Sequence, residues 1–174
     1  MYLINVPIVL LVSAAGLGLY MVVYDDALWL TVVALAITGA GLGGAMTAAS
    51  TAIIFNSPEN SSGTAASIEG VAFEFGGAIG VTLLGGLLSA MYSYDMSAIP
   101  DLPALAQDSI DGAIIAAQSL SANEGNSLLG LAEVAFTRGF IAVIGISIAL
   151  LLLTCVALGI CTRRKLPDVN PNNG

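Results

Sequence analysis

The chain has 174 residues, of which 57% are hydrophobic and 9% are charged, and its formal net charge is −8. Soluble domains contain about 25% charged residues, so this composition excludes an ordinary water-soluble globular protein. The acidic balance gives no indication of a nucleic-acid partner, and we expect none.

Four long apolar segments account for the excess of hydrophobic residues. Each reaches the roughly 20 residues that a helix needs to cross about 30 Å of hydrocarbon. We name them spans A to D, and they lie at about Leu3–Tyr24, Leu28–Phe55, Ala65–Tyr92 and Ala135–Cys161. The sequence therefore predicts an all-α, polytopic membrane protein with four transmembrane helices in a lipid bilayer.

Span A is interpreted as a spanning helix and not as a cleaved signal peptide. No basic segment precedes it, and no small-residue cleavage site precedes Asp25. It starts abruptly after Met1-Tyr2, so we expect the chain to be part of a longer polypeptide.

Spans B and C are rich in glycine. Gly39 and Gly43 in span B are four residues apart, as are Gly76 and Gly80 in span C. This spacing lines small residues along one helix face, and in lipid such faces let helix backbones approach closely. We expect both spans to pack against partners, with the glycines serving either packing alone or sliding of the helices.

Span C also contains two acids, Glu69 and Glu74, in the stretch SIEGVAFEFGGAIGVTLLGG. At 1.5 Å per residue, Glu69 lies about 6–10 Å into the helix and Glu74 about 15 Å, close to mid-membrane. A charged acid there costs about 2.5–3.5 kcal/mol on insertion scales. Glu74 is therefore predicted to bind a proton or cation or to make a gating contact. Glu69 is either a second functional acid or an interfacial first-turn acid favoured by the helix dipole.

The connection between spans C and D covers residues 93–134. Its first part, Ser93–Pro103, contains two prolines and is predicted to be non-helical. A short amphipathic helix is predicted within Ala104–Leu120, lying on the outer membrane surface or capping the protein. Its apolar face is formed by Leu105, Ile110, Ile114, Ala117 and Leu120. The segment SANEG (121–125) is predicted to break this helix before the chain enters span D.

Three of the four basic residues, Arg163, Arg164 and Lys165, follow span D directly. Cytoplasmic flanks are enriched in lysine and arginine, so the tail 162–174 is predicted to be cytoplasmic. The loop between spans B and C then lies inside, and the other two connections lie outside. Arg138, at the outer end of span D, is explained either by snorkelling to lipid headgroups or by a salt bridge or substrate contact.

The sequence contains no histidine and two cysteines, Cys155 and Cys161, which are predicted to be free, buried thiols. No residues have metal-ligand spacing, so we expect no metal site and no cofactor. No hydrolytic or redox constellation is present, and we expect the protein not to be an enzyme.

The stretch from Pro58, PENSSGTAASIEGVAFEFGGAIGVTLLG, resembles the penultimate helix of the fourteen-span drug:proton antiporters of the major facilitator superfamily. The shared features are a loop proline, a glycine five residues later, an acid, an aromatic–acid pair and a glycine-rich run. They fall at Pro58, Gly63, Glu69, Phe73-Glu74 and Gly76-Gly77-Ala78-x-Gly80. GAGLGGAMTAA, SIDGAIIAAQSL and AFTRGF are similar to the neighbouring helix, the outer loop and the start of the last helix. The likeness is closest to the methyl viologen and quaternary-ammonium exporters.

The resemblance implies proton-coupled efflux of cationic drugs and antiseptics across the bacterial inner membrane. Glu69 and Glu74 would then serve cation recognition, proton coupling or gating, with lipophilic cations and protons as the ligands. Spans A–D match only the last four of fourteen, which implies a C-terminal fragment, a partial bundle that needs the missing N-terminal spans to transport. Gly70 stands where some members carry a second acid, so no paired-carboxylate role is implied.

Two other functions stay open. One is a self-contained four-span multidrug exporter acting as an oligomer, although spans A and B carry no intramembrane acid of the kind such proteins use. The other is a non-transporting membrane scaffold, which would not need Glu74 at depth.

Overall fold

The computed structural model describes residues 2–25 and 27–164, without the side chains of residues 2–5, 59 and 162–164. It contains α1 (Tyr2–Val23), α2 (Leu28–Phe55), α3 (Ser62–Ser97), α4 (Ala104–Asp108), α5 (Ile110–Ala117) and α6 (Ala122–Arg164). Within this described part there is no β-strand, and the all-α prediction is confirmed. The predicted cytoplasmic tail from Lys165 onward lies outside the described residues.

Four of these helices are long and apolar enough to cross a membrane, as judged by length and composition over the described residues. The qualifying segments are Val6–Val23, Leu28–Phe55, Ser62–Ser97 and Ala122–Cys161. Helices suit this setting because hydrocarbon offers the backbone no hydrogen-bond partner, so each segment must satisfy its own N–H and C=O groups. The chain is accordingly described as a multi-pass membrane protein.

The chain divides into two compact units, and α3 and α6 contribute to both. The first unit combines Met1–Ala72 with Ile146–Gly174, and the second is Phe73–Gly145. Each unit has its own packing and is described separately below.

In the first unit, α1 and α2 form an antiparallel hairpin held by buried hydroxyl groups. The fully buried Ser13 hydroxyl donates across the hairpin to the Thr38 carbonyl oxygen at 3.2 Å, and it lies 3.3 Å from the Val9 carbonyl oxygen of its own helix. The Thr38 hydroxyl donates to the Ala34 carbonyl oxygen at 2.9 Å. Both buried polar side chains are therefore satisfied, as a site without water requires.

Two glycines let α1 and α2 approach closely at this point. A Cβ added to Gly41 would lie 2.6 Å from the Ser13 nitrogen and 2.7 Å from the Val9 carbonyl oxygen. A Cβ added to Gly16 would lie 2.6 Å from the Thr38 nitrogen. Because these neighbours are backbone atoms, a side chain at Gly41 or Gly16 could be accommodated only if one helix moved away from the other. The interface thus follows the small-residue packing that is typical of membrane helices.

The turn between α2 and α3 is built from polar side chains and a proline. Asn56 Nδ2 and Ser57 Oγ each donate to a carbonyl one turn back in α2, at 2.7 Å and 2.8 Å. These bonds satisfy carbonyl groups that the end of a helix leaves without partners. Pro58 then fixes the chain direction, a short 3-10 turn covers Glu59–Ser61, and α3 begins at Ser62.

In the second unit, α3 extends further than the sequence predicted. Ser93–Pro103 was expected to be non-helical, but α3 continues to Ser97. The reason is that Tyr92 and Met96, one helical turn apart, are both buried in the core of this unit, so continuing the helix buries them on one face. The direction changes only beyond Ser97, where Asp101 has a left-handed φ of 61°.

The segment after this turn caps the second unit. The Tyr92 hydroxyl donates to the Ala106 carbonyl oxygen at 3.0 Å, and the Ser93 hydroxyl donates to the Gln107 carbonyl oxygen at 2.7 Å. The cap and the two long helices share one apolar core, which is formed by Tyr92, Met96, Ala106, Ala113, Ala116, Leu128, Ala132 and Ala135. We call α4, α5 and the first turns of α6 that contribute to this core the cap.

The predicted single amphipathic helix over Ala104–Leu120 is two helices. Ser109 between them is extended, with φ −160° and ψ 159°, and its hydroxyl oxygen accepts a hydrogen bond from the Gly112 N–H at 3.0 Å. Ser109 is therefore the N-cap of α5, a role for which serine is a preferred residue. The sequence SIDG contains this N-cap signal, and we missed it.

The face that α4 and α5 bury also differs from the prediction. Ile110 and Ala117 pack against the core as expected, whereas Leu105 is 49% exposed and Ile114 is 45% exposed. The helices bury alanines instead, because small side chains and Gly112 allow close packing in this cap. The side chains of Leu105 and Ile114 consequently point away from the core.

The segment SANEG begins α6, so the prediction that it only breaks the preceding helix is wrong. The break lies at residues 118–121, after which Ser121 and Glu124 form a reciprocal cap. The Ser121 hydroxyl and N–H donate to Glu124 Oε2 at 2.6 Å and 3.3 Å, and the Glu124 N–H donates to Ser121 Oγ at 3.5 Å. This is the capping box that S-x-x-E encodes at a helix start. Span D is consequently the later part of a single 43-residue helix.

The matched pair Gly41 and Gly39 tests the close contact between α1 and α2. We expect Gly41→Ala to lower the melting temperature of the purified chain in detergent, because overpacking costs about 1–3 kcal/mol. Gly39 has no atom within 4 Å of its added Cβ. Gly39→Ala should leave the melting temperature unchanged or raise it, because alanine favours helix by about 0.5–1 kcal/mol over glycine. Equal effects of the two substitutions would contradict this interface.

Candidate functional site

Glu74 lies on the apolar, exposed side of α3. It is twelve residues beyond Ser62, where the helix begins, which places it about 18 Å along the axis. An open groove of about 550 Å³ runs beside its carboxylate. The groove is lined by Glu74, Phe75, Ala78, Ile79, Thr82 and Leu83. The acid therefore stands at the edge of a largely apolar surface.

Nothing in the second unit compensates the charge of Glu74. Among the described residues of this unit, its carboxylate has no hydrogen-bond or ion-pair partner. Arg138 is the only basic side chain that the structure describes, and it pairs with Asp95, with Nη1 and Oδ2 3.9 Å apart. Among the described side chains, the positive charge of Arg138 is therefore paired with Asp95 and not with Glu74.

This ion pair bears on the two explanations of Arg138. The structure brings Arg138 and Asp95 together, which supports the salt-bridge explanation. Arg138 is 73% exposed and Asp95 is 33% exposed, and such exposed pairs contribute only about 0–1 kcal/mol. The pair joins the C-terminal end of α3 to α6 but is not a major source of stability.

Glu69 lies in the first unit and has a partner from another helix. Its side chain is half-buried, and its Oε1 accepts a hydrogen bond from the Ser50 hydroxyl of α2. The structure therefore connects Glu69 to α2, whereas Glu74 has no such connection within its own unit.

Ser50 was missed by the sequence analysis, although a signal was present. The last third of α2 carries three hydroxyl side chains in an otherwise apolar run, at Thr47, Ser50 and Thr51. Thr47 and Thr51 donate to carbonyls one turn back in their own helix, at 2.9 Å and 2.7 Å. Ser50 donates to the acid on α3 instead. A serine facing an intramembrane acid across a short turn was the pattern to look for.

The four glycines that were predicted to pack face open space in this chain. Apart from the neighbouring backbone of the same helix, no atom of the described residues lies within 4 Å of an added Cβ at Gly39, Gly43, Gly76 or Gly80. In α2 the glycines that pack against α1 are Gly41, whose side of the helix is opposite to that of Gly39 and Gly43, and Gly44, whose added Cβ would lie 3.1 Å from Val9 Cγ1. The predicted packing role of Gly39, Gly43, Gly76 and Gly80 stays a prediction, and their partners would lie outside the described residues.

Close contact between α3 and α6 in the second unit depends on a different glycine. A Cβ added to Gly139 would lie 2.9 Å from Leu88 Cδ1 and 3.6 Å from Met91 Cβ. Gly139 belongs to the AFTRGF segment, for which the sequence predicted no packing role. Its position shows that α6 packs against α3 within the second unit.

A second open groove, of about 410 Å³, lies in the cap. Asp101 and Glu124 contribute carboxylates to its lining, and Leu102, Leu128 and Leu131 contribute apolar surface. The Glu124 carboxylate already accepts the two hydrogen bonds of the capping box. Because this carboxylate already caps the start of α6, we assign the groove no functional role.

The prediction that both cysteines are buried is wrong for Cys161. Cys155 and Cys161 are free, the first half-buried and the second exposed, and Cys155 Sγ lies 3.5 Å from the Pro7 carbonyl oxygen. No group of three or more His, Cys, Asp or Glu side chains that could hold a metal ion occurs in this part of the chain.

Comparison with protein-family models, curated proteins and solved structures finds no match to this chain. The class of protein follows from the geometry alone: an all-α, multi-pass membrane protein with two acids on one apolar helix. The likeness to drug:proton antiporters stays a prediction, and so do the roles of Glu69 and Glu74.

Proposed function

We propose that the chain belongs to a proton-coupled efflux transporter for lipophilic cations, in which Glu74 binds the cation and the proton in turn. The observation that carries the proposal is the place of Glu74 on an apolar helix face, beside a groove and without a compensating partner in its unit. Acids in membrane-spanning segments are expensive, and those that occur usually serve ion or substrate pathways.

The chemistry of this position supports exchange. An ionised carboxylate in apolar surroundings attracts a cation strongly, because the interaction between unit charges grows as the effective dielectric constant falls. A proton removes the same charge. One carboxylate that is neutralised either by a proton or by a lipophilic cation is therefore a simple device for exchanging the two. Phe75 and Ile79 supply apolar surface for the body of the cation.

The proposal assigns the four long helices to the C-terminal part of a larger transporter. The order of the loop proline, the acids and the glycine-rich run supports this assignment, because it resembles the penultimate helix of the fourteen-span antiporters. Alternating access requires two repeats that rock around a central site, so transport needs further spans. The open faces at Gly76 and Gly80 are where such spans would pack. We place the transporter in the bacterial inner membrane.

The orientation of this proposal is tested by cysteine labelling. With a cytoplasmic C-terminus, Ser61→Cys lies inside and Ser97→Cys lies outside. A membrane-impermeant maleimide should label Ser97→Cys in intact cells and Ser61→Cys only in inverted vesicles. Labelling of Ser97→Cys exclusively from the cytoplasmic side would contradict the proposed orientation.

The proposed exchange is tested by neutralising Glu74 at the native chromosomal locus, so that the change occurs in whatever polypeptide contains the residue. We expect Glu74→Gln to leave the amount of protein near normal and to reduce proton-driven efflux of cationic dyes to the level of a gene deletion. Glu74→Asp keeps the charge and should retain part of the activity. The measurement is dye efflux from energised cells across a pH series.

Glu133→Gln is the matched control, because Glu133 is an exposed acid of the cap part of α6. It should transport at the wild-type rate. Glu74→Gln cells that also export dyes at the wild-type rate at every pH would show that the carboxylate is not part of the transport site.

A further inference from the structure

The hydrogen bond between Ser50 and Glu69 is the feature of the molecule that the proposed function leaves unused. We propose that Ser50 is a positioning residue that holds the ionised Glu69 carboxylate against α2, so that the charge of Glu69 controls how tightly α2 and α3 are joined. The functional part of this inference rests on the proposed transport function, while the contact itself does not.

The surroundings of Glu69 in the first unit make this contact specific. α2 contributes a hydroxyl and no charge, since none of its 28 residues is acidic or basic. The described side chains of α1 carry no charge, and those of α6 after Gly145 include only the two cysteines as titratable groups. On α3 itself the next acid is Glu74, five positions on. Ser50 is therefore the described polar group from another helix that meets Glu69.

The position of the pair suits a contact that responds to charge. Ser50 is five residues before the end of α2 and Glu69 is seven residues after the start of α3, or about 7.5 Å and 10.5 Å from the connecting turn. This depth is close enough to the membrane surface for protons to reach Glu69. Glu69 is also half-buried, and a lower local dielectric constant strengthens a hydrogen bond.

The strength of the contact depends on the charge of Glu69. A hydroxyl that donates to an ionised carboxylate makes a shorter and roughly twice stronger hydrogen bond than one that donates to a neutral acceptor. A proton or a cation on Glu69 therefore weakens the bond from Ser50. The consequence is that α2 and α3 are held together near their turn when Glu69 is charged and are released when it is neutralised.

A double-mutant cycle on the purified 174-residue chain in detergent tests the contact without any transport assay. We expect Ser50→Ala and Glu69→Gln each to lower the melting temperature by about 2–4 °C. The double variant should lower it by clearly less than the sum of the two, because a glutamine accepts only the weaker, neutral hydrogen bond from Ser50. Ser50→Thr keeps the hydroxyl and should restore most of the loss. Additive effects of Ser50→Ala and Glu69→Gln would overturn the proposal.

Thr47→Ala is the matched control on the same helix. Its hydroxyl donates within α2, to the Gly43 carbonyl oxygen at 2.9 Å, so its effect should add to that of Glu69→Gln. If Thr47→Ala and Glu69→Gln were as non-additive as Ser50→Ala and Glu69→Gln, the cycle would report a general response of α2. That result would count against a specific contact of Ser50.

The role in transport is tested with the same variants introduced at the native locus. Dye efflux should fall in Ser50→Ala cells, remain in Ser50→Thr cells, and fall no further in Ser50→Ala/Glu69→Gln cells than in Glu69→Gln cells. Wild-type efflux in Ser50→Ala cells would overturn the positioning role. Wild-type efflux in Glu74→Gln cells would instead reject the proposed function, while the melting-temperature cycle would still decide whether Ser50 and Glu69 are coupled.

Discussion

The absence of water in the membrane core is the constraint on which the structure depends. Backbone groups find partners there only within a helix, which explains four long apolar helices and no strand in the described residues. The same absence of water makes each intramembrane charge costly, so Glu69 and Glu74 need an explanation that an exposed acid of a soluble protein would not. The structure gives these two acids different surroundings, a hydroxyl for Glu69 and an apolar groove for Glu74.

Packing in the two units follows two different physical rules. In the first unit, lipid and protein are equally apolar, so α1 and α2 associate through close backbone contact at Gly41 and through the buried Ser13 hydroxyl. In the second unit, the cap buries Tyr92 and Met96 under small side chains and resembles the core of a soluble protein. The long extensions of α3 and α6 support this cap. The described chain thus combines a membrane-type contact with a soluble-type core.

The sequence predicted what depends on composition and missed what depends on contacts. The bounds of α2 were predicted to the residue, because an apolar run flanked by polar turn residues defines both ends. The end of α3 was predicted too early, because the burial of Tyr92 and Met96 is a tertiary effect that outweighs the local signal of the prolines. Helical periodicity gave several possible glycine faces in α2, and only the position of α1 selects Gly41. Ser50 was not found for the same reason, since hydropathy does not show which hydroxyl meets an acid of another helix.

The central claim is that α3 crosses the bilayer with Glu74 at hydrocarbon depth. The most direct test is the collision of nitroxide labels with oxygen and with a water-soluble nickel complex in lipid vesicles of the purified chain. Labels at Phe75→Cys, Ile79→Cys and Leu83→Cys flank the acid on exposed positions of α3. The account predicts that oxygen collisions dominate at all three positions. Collisions with the nickel complex that dominate at all three would place this helix in water and contradict the account.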